Sequence, residues 1–101
     1  MKHKINAAFQ FVPLANKTKS FALIDRVIEL IKDSRLEYEV TPFNTVVNGS
    51  MKQVMKLADK IYTVCNKQFA DGDYLLNIQI HFTNRNNCIF KDKLKAKSTR
   101  A

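Results

Sequence analysis

The stretch that most constrains the fold is residues 36–49, Leu-Glu-Tyr-Glu-Val-Thr-Pro-Phe-Asn-Thr-Val-Val-Asn-Gly, which runs directly into Ser-Met-Lys-Gln-Val-Met. Leu36, Tyr38 and Val40 alternate with Glu37, Glu39 and Thr41, the period-two pattern of a half-buried strand. Pro42-Phe43-Asn44 supplies turn chemistry. Thr45 to Asn48 read as a second strand, whose facing stays open because Val46 and Val47 are adjacent. Ser50 and Gln53 then match the Ser-x-x-Gln capping box, which starts a helix by pairing each side chain with the other residue's backbone N–H. The middle of the chain is therefore a hairpin feeding straight into a helix.

The flanks complete the order. Residues 4–12 alternate, with Ile5, Ala7, Phe9 and Phe11 on one side, and Pro13 is expected to end this strand by removing a ladder donor. Asn16 or Thr18 can cap the next helix, in which Phe21, Ile24, Val27, Ile28 and Ile31 recur at helical spacing. Val54, Leu57, Ala58, Ile61 and Cys65 make the inner face of the second helix. After an Asp71-Gly72-Asp73 loop, Leu76, Ile78, Ile80 and Phe82 alternate with Leu75, Asn77, Gln79 and His81 as a fourth strand. Ile89, Phe90 and Leu94, set among lysines, suggest a short C-terminal helix. The order β-α-β-β-α-β predicts a single α+β domain over residues 1–101. Its expected form is a ferredoxin-like sandwich, a four-stranded antiparallel sheet with both helices on one face.

Such a fold leaves the other sheet face open. By alternation that face carries Asn6, Ala8 and Gln10 from the first strand and Asn77, Gln79 and His81 from the last. Amides both donate and accept, so the face suits a polar interface or a small neutral ligand. An RNA-recognition module of this topology needs aromatic rings there, where bases stack. Here Phe9 and Phe11 fall on the core side, which argues against nucleic acid as a partner.

Composition narrows the function further. A chain of 101 residues with 46% hydrophobic content and only 2 Gly and 2 Pro has enough apolar mass for one core. The net charge of +8 is concentrated at one end. Arg85, Lys91, Lys93, Lys95, Lys97 and Arg100 face a single acid, Asp92, so the basic character belongs mostly to the segment from about residue 85. No run of about 18 apolar residues offers a membrane span. The basic, apolar N-terminus is interrupted by Asn6 and Gln10 and alternates like a strand, so the chain is expected to be cytoplasmic. Cys65 and Cys88 have no partner at metal-ligand spacing, and His3 and His81 are far apart. No nucleophile, acid–base pair or cofactor motif stands out, so the expected role is binding rather than catalysis, with no cofactor.

The order and spacing of several segments resemble the small thiamine-binding-protein family over nearly the whole chain. They are the opening strand ending in Val12-Pro13-Leu14, Ser20 before a helix, and Ile31 to Tyr38 against the family's Ser-Gly-Leu-x-Tyr pattern. Thr41 to Gly49 is similar to the family's Thr-x-x-x-Thr-x-x-Glu-Gly, and Ile78-x-Ile80 runs on to Arg85. Two positions depart from the pattern: Arg35 stands where the family usually has glycine, and Asn48 where it usually has glutamate. The resemblance implies a ferredoxin-like subunit assembled into homodimers or homotetramers through sheet faces. It also implies a pocket for thiamine or its hydroxymethylpyrimidine part. The expected ligand-binding residues are Thr45, Asn48 and Gly49, with Ser20 and Arg85 carried over from the family pattern. The alternative is an assembly module with no small-molecule ligand.

Overall fold

A computed structural model describes residues 4–15, 20–68, 72–84 and 87 of the chain. Six elements follow in the order β1 (Ile5–Ala15), α1 (Ser20–Asp33), β2 (Glu37–Val40), β3 (Thr45–Gly49), α2 (Met51–Gln68) and β4 (Asp73–His81). The strands form one sheet in the order β2-β3-β1-β4, with every neighbouring pair antiparallel. This is the ferredoxin-like arrangement that the alternation of periods two and 3.6 predicts.

One face of the sheet makes the core. Ile5, Ala7 and Phe9 of β1 and Val47 of β3 meet Val27, Leu30 and Ile31 of α1 and Val54, Leu57, Ile61 and Cys65 of α2. Val47, not Val46, is the inward residue of the adjacent pair, because the register Ala7↔Val47 sets it on the same face as Ala7. The α2 stripe follows its sequence pattern. The α1 stripe is rotated: Leu23 and Leu30 are buried with Val27 and Ile31, whereas Ile24 and Ile28 are only half-buried. Both sets satisfy helical spacing, and tertiary packing selects between them. Leu76, Ile78 and Ile80 pack against the core but stay half-buried, because β4 is an edge strand with a partner on one side only.

Pro13 does not end β1. The strand continues to Ala15, pairing Pro13 with Tyr74 and Ala15 with Asp73 across a register shift. Beyond Phe9 the strand pairs with β4 alone, so a proline's missing donor is tolerated on the unpaired side.

The local signals at the helix ends are realised. Ser50 N donates to Gln53 Oε1 at 2.9 Å and Gln53 N to Ser50 Oγ at 3.2 Å, closing the capping box. Arg35, just past α1, has φ 64°, a left-handed conformation that favours glycine. The caps expected at Asn16 or Thr18, the side chains of Ser20 and Phe21, Cys88 and the C-terminal helix lie outside the described residues.

Candidate functional site

Strand periodicity separates two residues that the sequence pattern groups together. Thr45 pairs with Phe9 and shares its helix-side face, while Asn48 pairs with Asn6 on the opposite face. Three residues apart in one strand, they project to different sides of the sheet, so a small ligand on one subunit cannot meet both. The expected ligand-binding residues Thr45 and Asn48 thus stand on opposite faces of the sheet.

On the helix side, Thr45 lines a cleft of about 110 Å³ between α1 and the tip of the β2–β3 hairpin. Phe9 and Phe11 of β1, Ile24 and Ile28 of α1, and Val40 and Phe43 of the hairpin form its apolar walls, with Thr41 and Asn44 at its polar edge. Thr45 is 6% exposed, and among the described residues its hydroxyl makes no hydrogen bond. A buried hydroxyl without a partner costs about 1–3 kcal/mol, so it calls for an explanation. Ser20 is the first residue of α1, one turn before Ile24, so the helix begins at the same end of the molecule as the cleft.

The hairpin tip is held firmly. Thr41 N donates to Asn44 O at 2.8 Å, and Thr41 Oγ1 accepts from Phe43 N at 3.2 Å and Asn44 N at 3.1 Å. The same hydroxyl donates to Asn44, whose side-chain and backbone oxygens both lie 3.0 Å away. Sequence reasoning took Pro42 to Asn44 as a turn and nothing more. The signal that it passed over was Phe43, a large aromatic placed where turns usually carry small polar residues.

On the open face a polar row crosses all four strands in register: Glu37, Asn48, Asn6 and His81. Asn6 Nδ2 donates to Asn48 Oδ1 at 3.1 Å, and Asn48 Nδ2 donates to Glu37 Oε1 at 3.0 Å. Asn6 and Asn48 are buried, not open as alternation alone suggests for Asn6. Farther along the same face, Asn77 Nδ2 donates to Gln10 Oε1 at 3.1 Å.

Gly49 faces the helices and has no positive φ. A Cβ there would lie 3.1 Å from both Gln53 Oε1 and Leu36 Cδ2, so the glycine makes room for the capping box and the start of β2. Arg85 lies outside the described residues. A larger groove of about 800 Å³ runs between the helices, with Leu30, Leu36 and Leu57 beneath Arg26, Lys56 and Asp59. Its Ser34 and Gln53 are already hydrogen-bonded within the protein. Cys65 is buried in α2, and desolvation pushes its thiol above the ordinary value, which suppresses the reactive thiolate. No helix among the described residues is long and apolar enough to cross a membrane.

Known proteins share this architecture. A hypothetical protein of Methanocaldococcus jannascii superposes with a TM-score of 0.82 at 19% identity, over 95% of this chain and 97% of its own. A Thermotoga maritima protein, described provisionally as a thiamine biosynthesis/salvage protein, superposes with a TM-score of 0.79 at 24% identity, over 92% and 98%. In sequence, a UPF0045 protein of Clostridium perfringens is 25% identical over 65 residues, 64% of this chain and 68% of that protein. The family model described as "Thiamine-binding protein" matches residues 7–97, from the first residues of β1 to beyond β4. With nearly the whole domain inside that match, the chain belongs to the thiamine-binding protein family.

Proposed function

We propose that this protein binds thiamine or its hydroxymethylpyrimidine part, without catalysis, and that the ring enters the cleft between α1 and the β2–β3 hairpin. The observation that carries this reading is the Thr45 hydroxyl, buried, without a partner among the described residues and set at an apolar cleft. Sites for small molecules pair apolar walls with a few well-placed polar groups. The cleft has that composition, with Thr45, Thr41 and Asn44 as the polar members. An aminopyrimidine edge offers both donors and acceptors to such groups. Membership of a family described as thiamine-binding supports the ligand class. Ser20 belongs with this site through its position at the start of α1, and Arg85 through the family pattern. Asn48 and Gly49 are given other roles, in the open-face row and in packing.

Isothermal titration of the parent and of Thr45→Val tests the reading. The variant keeps the shape and removes the hydroxyl. Its affinity for hydroxymethylpyrimidine is expected to fall about tenfold, the worth of one hydrogen bond of ~1.4 kcal/mol. Its thermal stability is expected to hold or rise, because an unsatisfied buried hydroxyl is removed. An affinity unchanged in Thr45→Val, or no heat from the parent, contradicts the site.

The open face is proposed to join copies of the chain into a homodimer or homotetramer. Its support is the polar row ending in Glu37 and His81, together with the amide pair Gln10–Asn77, which offer donors and acceptors to a symmetric partner. Light scattering at micromolar concentration is expected to give a multiple of the 11.7 kDa chain mass, and a monomer would sink this part of the proposal.

A further inference from the structure

Among the described residues three aromatic side chains line the cleft, and two of them are already engaged. Phe9 is 2% exposed and belongs to the core. Phe11 stacks on Tyr74, with ring centroids 5.6 Å apart and planes inclined by 25°. Phe43 is 80% exposed, although it too lines the cleft. A phenylalanine that is left in water contributes almost nothing to folding. Its backbone is nevertheless fixed by Thr41, whose hydroxyl accepts from Phe43 N and Asn44 N. The ring is thus carried on a rigid turn at the edge of a cavity, with a face available to a ligand.

On the reading of the cleft as the ligand site, we infer that Phe43 is the residue that stacks on the bound ring and sets the cleft's preference for one planar, unphosphorylated heteroaromatic ring. Size and charge both support this. The cleft's volume of about 110 Å³ is of the same order as the ~150 Å³ apolar cavity that admits benzene. A volume of that order suits a single six-membered ring. Among the described residues no charged side chain lines the cleft, so none of them gives a phosphate a partner there. Stacking of a heterocycle on an aromatic side chain changes affinity by roughly five- to 150-fold per ring.

Calorimetric titration of the full chain with hydroxymethylpyrimidine, thiamine and thiamine monophosphate tests the inference in the parent, Phe43→Ala and Phe43→Tyr. Phe43→Ala is expected to weaken hydroxymethylpyrimidine about tenfold with an unchanged melting temperature, because the ring makes little contact in the free protein. Phe43→Tyr keeps the stacking face and is expected to bind within about twofold of the parent. The chain has no tryptophan, so Phe43→Trp adds a single tryptophan, excited selectively over the 3 tyrosines, whose emission should change on saturation with hydroxymethylpyrimidine. Equal affinity in the parent and Phe43→Ala overturns the role of Phe43 while leaving the cleft as the site. Tenfold tighter binding of the monophosphate than of thiamine overturns the stated preference. No binding by the parent overturns both this inference and the reading on which it rests.

Discussion

Asn48 shows how a single side chain takes its meaning from its neighbours. In the family pattern this position is usually glutamate, and a carboxylate accepts stronger hydrogen bonds than an amide. Considered alone, Asn48→Glu would then restore a lost acceptor. In the fold, Asn48 donates to Glu37 and accepts from Asn6, so its amide is used in both directions. A carboxylate at position 48 cannot donate, and it would set two like charges side by side across β2 and β3. Asn48→Glu is expected to lower stability by about 1–2 kcal/mol in urea titrations, the cost of an unmet hydrogen bond at a buried position. Adding Glu37→Gln to the same chain restores a donor opposite the carboxylate and should recover most of the loss. If the single variant is as stable as the parent, the Glu37–Asn48 bond contributes nothing.

The end of α1 carries a similar lesson for an element. Ser34 N donates to Leu30 O and Arg35 N to Lys32 O, so the last carbonyls of the helix are satisfied as the chain turns. The turn requires Arg35 at φ 64°, where a side chain costs about 1–2 kcal/mol relative to glycine. Glycine also loosens the unfolded chain, which offsets part of the gain. Arg35→Gly is therefore expected to raise stability by about 0.5–1 kcal/mol, and a loss of stability would show that the arginine makes a compensating contact. Strands, helices and their order were legible because period and capping chemistry are local: Ser50–Gln53 was readable as a cap from spacing alone. The orientation of α1 was not, since Leu23 and Leu30 compete with Ile24 and Ile28 for the same core and only packing decides. Pro13 was misread because its tolerance depends on which neighbour strand is present. For the proposed site, the sequence grouped Thr45 with Asn48, and the fold sets them on opposite faces. The facing of β3 was hidden by the adjacent Val46 and Val47, and the register with β1 resolves it.

At the scale of the whole molecule, the sheet separates two kinds of chemistry. The helix side holds the core and the apolar cleft, with a Thr45 hydroxyl that has no partner among the described residues. The other side holds a row of hydrogen-bonded polar side chains, the face proposed to meet another copy of the chain. A ligand site and an assembly face can therefore coexist in 101 residues without competing for the same surface. This division makes the two readings separable by position. The most direct test is a titration of isotope-labelled protein with hydroxymethylpyrimidine, followed by amide chemical shifts along the chain. The largest shifts are expected at Thr41, Phe43, Asn44 and Thr45 and in the first turns of α1, with Glu37, Asn48, Asn6 and His81 little affected. Shifts centred on the Glu37–His81 row, or none at saturating ligand, would contradict a binding site in the cleft.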